Sequence, residues 1–210
     1  MECSWRSIRR WEGKDIGMIT VKKVIFETLE ELIKKKDAAA VGDIVLVAEE
    51  ELPFPDSVPY VVAQTGDNLI VVRKNIMSDR RPMKLKNFDL STWLNRDLRN
   101  GILANLSANL RDRVGDVKLL SIGEVYGNTS IGPVLEGEQF EWFKDPINRI
   151  ARTEDDSVYS GIYWLRDRVL FSNIALVDNS GLCTFTNTLS AHLGVRPTFG
   201  IIDDGDGDKR

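Results

Sequence analysis

Histidine is almost missing from this chain of 210 residues, with His192 standing alone, and cysteine is limited to Cys3 and Cys183. One imidazole and two isolated thiols supply neither zinc-ligand spacing nor a disulfide framework, so no metal site is expected. No run of about 18 apolar residues occurs, which leaves no expectation of membrane insertion. The N-terminus carries charges but no apolar core and no small-residue cleavage site, so it does not read as a secretory signal. Together with the sparse thiols, this points to synthesis in a reducing cytoplasm. No glycine-rich phosphate loop follows a strand, so no nucleotide cofactor is expected. A net charge of −4 implies no general affinity for nucleic acid or anionic membrane.

What is present is ordinary for a water-facing globular protein, with 42% apolar residues, and 210 residues are enough for one large domain or one domain with an appended element. The charge is uneven. Arg6, Arg9, Arg10, Lys14, Lys22 and Lys23 make the start basic, and Asp203, Asp204, Asp206 and Asp208 make the tail acidic. That asymmetry suits contacts from the end of one subunit to the surface of the next, although solvated termini give the same pattern.

Apolar spacing predicts a short helix over 27–36, with acids first and lysines last. Strands follow at 43–48, 58–63 and 68–73, the last two joined by a hairpin at Thr65-Gly66-Asp67. The longest helical pattern runs from Asp89 through Leu110, capped by Asp89 or Ser91 and divided into two helices at Asn100-Gly101. A strand at 117–121, a glycine-rich loop from Gly123 to Gly137 and a short helix around 140–143 come next. Four runs, 162–166, 169–177, 182–188 and 193–199, then read as a closing antiparallel meander with a turn at Asn179-Ser180-Gly181. The organisation is an N-terminal extension (1–39) with a short helix, serving as a candidate attachment arm, a main domain (40–202) and an acidic tail (203–210).

Two arginines, Arg166 and Arg196, interrupt apolar strands that should be neighbours in one sheet. A buried guanidinium needs carboxylates or carbonyls around it. Glu124 and carbonyls of the 123–137 loop are the expected partners, locking loop to sheet; the rival is an anion-binding pocket built on the same side chains. Trp93, Trp142 and Trp164 fit core positions better than a carbohydrate-stacking platform. The Asp204-Gly205-Asp206-Gly207-Asp208 tail has the first oxygen-ligand spacings of a calcium loop but not its closing glutamate. No spacing brings His192 to Cys183 as base and nucleophile.

Several landmarks occur in a fixed order: Ser91-Thr92-Trp93-Leu94-Asn95, Leu119-Leu120-Ser121-Ile122-Gly123-Glu124-Val125, Glu136-Gly137-Glu138-Gln139, Asn148-Arg149-Ile150, Tyr163-Trp164-Leu165-Arg166 and Gly194-Val195-Arg196-Pro197-Thr198-Phe199. This series, across roughly residues 40–202, resembles an uncharacterised domain family common in bacteriophage and bacterial proteins. That family ends in a Val-Arg-Pro-x-Phe strand and is related to the C-type lectin-like fold shared by sulfatase modifiers and some phage tail tips. Asp167-Arg168 replaces the family's usual Ser-Pro after Tyr-Trp-Leu-Arg. The resemblance implies an α+β, C-type lectin-like fold with two main helices and a twisted antiparallel sheet.

It further implies a non-enzymatic virion component, a tail-tip, fibre or capsid-decorating protein, made in the host cytoplasm and present as a homo-oligomer. Its partners would be other virion subunits, copies of itself, or a host-surface glycan or protein. By that resemblance the binding rim comprises Ser172, Asn173, Asp178, Asn179, Ser180, Thr184, Thr186 and Asn187, polar residues that alternate or cluster near turns. The alternatives are a phage-encoded protein that binds a host or defence protein inside the cell, and an enzyme of the sulfatase-modifier type.

Overall fold

The computed structural model describes residues 24–49, 57–77, 80–127, 137–153, 160–169, 173–187 and 190–202. The basic residues before Val24, Cys3, the loop at 128–136, Ser172 and the acidic tail lie outside them.

The β-branched runs form strands Ile44–Val47, Val58–Gln64 and Leu69–Arg73, which pair antiparallel in sequence. Gly66 sits at φ 114° in the hairpin turn, a conformation that glycine adopts without steric cost. The register opposes Val61 to Val72 and Val62 to Val71, so side chains alternate between two cores. Val61, Ala63 and Val72 enter one; Tyr60, Val62 and Val71 enter the other. Burial on both faces explains why these strands read as continuous apolar runs.

The sheet has six strands, in the order Ile25–Phe26, Ile44–Val47, Val58–Gln64, Leu69–Arg73, Pro197–Ile201, Lys118–Leu119. The first pair is parallel and the rest antiparallel. The mixed α+β class is therefore plain. From Val24 onward the N-terminal segment belongs to the main core. The Asp43 carboxylate accepts from the Val24 and Ala40 amides at 2.9 Å each, and Phe26, Leu29, Leu32 and Ile33 are buried with the large sheet.

Helix Leu29–Lys34 starts at Thr28, whose hydroxyl accepts from the Glu31 amide. The long helical stretch starts at Asp89, which caps the Thr92 amide at 3.0 Å. It was expected to split at Asn100-Gly101; instead it runs on as α-helix Leu90–Trp93, a π-helical segment Leu94–Leu98 and α-helix Arg99–Ala104. Gly101 is buried inside it. Burial there outweighs the ~1 kcal/mol that glycine costs a helix interior. Leu90, Leu94, Leu98 and Ile102 are all buried and spaced by four. In a pure α-helix every fourth residue drifts by ~40° around the axis. The wider π turn counters that drift and keeps the four on the core side. Two main helices are thus replaced by one long helical stretch and several short turns. One of these is Ile122–Tyr126, where a strand end and loop were expected.

The meander also differs. Tyr163–Val169, Asn173–Val177 and Cys183–Thr186 form a three-stranded antiparallel sheet. The fourth run leaves it. Gly194 bridges Tyr163 in parallel, and three residues later the chain enters the large sheet as Pro197–Ile201, between Leu69–Arg73 and Lys118–Leu119. The apolar side chains decide this: Phe199 and Ile201 are fully buried, and Phe199 packs on Tyr60 with ring centroids 5.4 Å apart. Arg166 and Arg196 are therefore not on neighbouring strands.

The crossing depends on Gly194. A Cβ there would lie 2.2 Å from Ile76 Cγ2 and 2.8 Å from the Ile162 carbonyl oxygen. Gly194→Ala is predicted to cost about 2 kcal/mol through overpacking, read as a lower midpoint in chemical denaturation.

Candidate functional site

The strand Tyr163–Val169 is fixed first through Glu124. Ser121-Ile122-Gly123-Glu124 forms a capping box: the Glu124 amide donates to Ser121 Oγ at 3.0 Å, and the Ser121 amide to Glu124 Oε2 at 2.9 Å. Arg166 closes on the same carboxylate with both Nη atoms, at 2.6 and 3.0 Å, and Lys118 Nζ adds a contact at 3.1 Å. Arg166 also donates to the Leu119 carbonyl at 2.8 Å; the expected loop carbonyls fall largely at 128–136, outside the described residues. Asp167 accepts from the Ile122 amide at 2.6 Å. Burial pushes the Glu124 carboxyl up, but Arg166, Lys118 and the Ser121 amide together outweigh it and hold the group below its ordinary value.

Arg196 is 1% exposed and meets no carboxylate among the described residues. It donates to the carbonyls of Arg73 (3.0 Å), Asn148 (3.1 Å) and Lys74 (3.3 Å) and to the Tyr163 hydroxyl (3.2 Å). The rings of Trp142, Phe143 and Tyr163 surround it at 5.1, 5.4 and 5.2 Å. Carbonyl dipoles and ring faces replace the expected counter-ion. The Tyr163 hydroxyl donates in turn to the Arg149 carbonyl at 2.8 Å, and burial raises the pKa of its phenol.

A second buried pair escapes the sequence reading. Arg73 and Glu49, each 1% exposed in the side chain, meet through Nε–Oε1 (3.1 Å) and Nη2–Oε2 (3.0 Å), and Tyr60 donates to Glu49 at 2.7 Å. An arginine closing the apolar run Leu69-Ile70-Val71-Val72 is the signal that could have shown it.

The rim residues do not converge on one point. Asp178, Asn179 and Ser180 form the turn after Asn173–Val177, with the Asp178 carboxylate accepting from the Ser180 hydroxyl (2.7 Å), the Ser180 amide (2.8 Å) and the Leu182 amide (3.0 Å). These bonds, the Ser180 hydroxyl first, hold Asp178 below the usual carboxylate range. Asn173, Thr186 and Asn187 lie at the other end of the small sheet, about 16 Å away at strand rise. Thr184 and Thr186 share one face, opposite Leu176 and Ile174. Phe185 points to the other face and stays 37% exposed, and Leu182 is 63% exposed beside the turn.

The tryptophans are occupied. Trp164 is fully buried and donates to the Arg81 carbonyl at 2.8 Å. Arg81 lies 3.9 Å over the half-buried Trp93 ring, and Trp142 packs tilted on Phe143. Burial, then the charges of Asp167 and Asp178, push the Cys183 thiol up to about 11, the reverse of an activated nucleophile. His192 is exposed. Among the described residues no group of three or more His, Cys, Asp or Glu side chains is placed to hold a metal ion, and no helix is long and apolar enough to cross a membrane.

Two outcomes follow from the arginine contacts. Arg196→Ala leaves three carbonyls and a phenol without their donor and should cost about 3 kcal/mol or more, measured by denaturant unfolding; wild-type stability would contradict it. Glu124 titrates near 4.5 when unperturbed and lower in the folded chain. Its contribution is therefore complete above pH 4.5 and is lost as pH falls through the folded value. Glu124→Gln should cost about 3 kcal/mol at neutral pH, and the gap to wild type should close on acidification below that point.

Residues 114–202 match the model of a family described as a domain of unknown function (DUF6273). That stretch spans the capping box, the three-stranded sheet and the returning strand. Neither the curated proteins nor the solved structures contain a significant match.

Proposed function

We propose that this chain is a non-enzymatic binding module of a bacteriophage particle, with a C-type lectin-like fold, that presents the outer strand of its small sheet to a host surface or to neighbouring subunits. The observation that carries the binding role is the contrast within that sheet. Ile174, Ala175, Leu176 and Val177 of the middle strand are all buried, and the first strand is tied to Glu124 by Arg166. Thr184, Phe185 and the 179–180 turn, by contrast, are exposed. Exposed polar and apolar groups on a rigid base are what a recognition surface needs. The lectin-like assignment draws on the six ordered landmarks and on the curled, mainly antiparallel sheet; the particle assignment draws on the resemblance. Multiple copies would make weak single contacts sufficient.

Mass spectrometry of purified particles should find the chain; absence would remove the particle role. Combined Asn179→Ala, Leu182→Ala and Thr184→Ala substitution should lower attachment to cells or partner subunits at least tenfold and leave the thermal midpoint within a few degrees of wild type. Unchanged attachment would remove the recognition role from this strand.

A further inference from the structure

The strand that carries Arg166 also walls a cleft. It lies between the Lys84–Asp89 hairpin, the first turn of the long helix, and strands Lys118–Leu119 and Tyr163–Val169, and has a volume of about 250 Å³. Four cations line it: Lys84, Lys118, Arg166 and Arg168. Arg166 and Lys118 share the single carboxylate of Glu124, which leaves one positive charge of that pair over. Lys84 and Arg168 are exposed and have no carboxylate partner among the described residues. One acid, Asp89, faces the same space, opposite Lys84 in the hairpin and accepting from the Thr92 amide and hydroxyl, so four cations stand against two carboxylates. The cleft is thus cationic in a chain whose net charge is −4. Its apolar wall comes from Met83, Leu94, Leu119 and Ile174, and the Ser91 hydroxyl adds a polar group.

We propose that this cleft binds a sugar acid: one hexose-sized unit bearing a carboxylate or sulfate. The argument is complementarity. An excess of two positive charges, spread over separate elements, favours an oxyanion placed among them. The volume falls below the ~300–1,000 Å³ usual for drug-sized ligands, so the cleft takes one small unit. An apolar wall beside hydroxyl and carboxylate groups suits a ring with one hydrophobic face and several hydroxyls. The register sets Arg168, Ile174 and Thr186 in one row across the small sheet, so a second linked unit would run towards Thr186. The site is separate from the 179–184 surface and does not rest on the particle role.

Titration calorimetry with glucuronate, galactose 6-sulfate, glucose and inorganic phosphate tests this on the full chain. At least one acidic sugar should bind at least tenfold more tightly than glucose and more tightly than phosphate. Its affinity should fall as salt rises. Lys84→Ala and Arg168→Ala should each weaken it about fivefold or more, with thermal midpoints unchanged because both side chains are exposed. Neither acidic sugar exceeding glucose would overturn the proposal, as would phosphate matching the better of them, or a Lys84→Ala/Arg168→Ala double variant that binds like wild type.

Discussion

A buried positive charge with no counter-ion among the described residues organises this molecule. Arg196 draws the carbonyls of Arg73 and Lys74 from the end of an inner strand of the large sheet, that of Asn148 from the 146–149 turn, and the hydroxyl of Tyr163 from the small sheet. Three separate parts of the chain must therefore arrive together before the guanidinium is solvated by protein. Arginine suits this because its planar fork carries five donors in fixed directions and its faces stack on rings. Lysine would offer a point charge with neither property.

Around this centre, acids are used sparingly and each serves several donors. Glu124 closes a helix cap and receives Arg166 and Lys118; Glu49 receives Arg73 and Tyr60; Asp43 receives two backbone amides. Such groups stabilise the fold only when fully bonded, since a lost partner strands a desolvated charge. They specify register as much as stability: Glu49 lies two residues past strand Ile44–Val47, Arg73 ends strand Leu69–Arg73, and Tyr60 comes from the strand between.

Local features were legible in the sequence. The β-branched runs at Ile44, Val58 and Leu69 became strands within a residue or two, because alternation and turn glycine are encoded in adjacent positions. The helix cap at Asp89 was legible for the same reason. Glu124 stood out as a partner for Arg166 because a charge in an apolar strand demands one. The Ser121–Glu124 capping box was equally readable but lay hidden at the end of a strand-like run. What escaped was non-local. Nothing near Pro197 says that its strand joins Val71 and Lys118 and abandons Cys183. Glu49 opens an acidic trio, Glu49-Glu50-Glu51, that reads as solvated loop, and only strand register brings it to Arg73. The cationic cleft gathers Lys84, Lys118 and Arg168 from three distant segments, so no spacing announces it.

The large sheet is a shared wall: Val61 and Val72 serve one core, while Val62 and Val71 serve the other. Neither core can melt and leave the wall intact for its neighbour. The described residues therefore offer no seam along which half of them could peel away, and partly opened forms should be rare between the native state and global collapse of their order. That cooperativity keeps the backing of the outer strand Cys183–Thr186 firm until the whole body gives way.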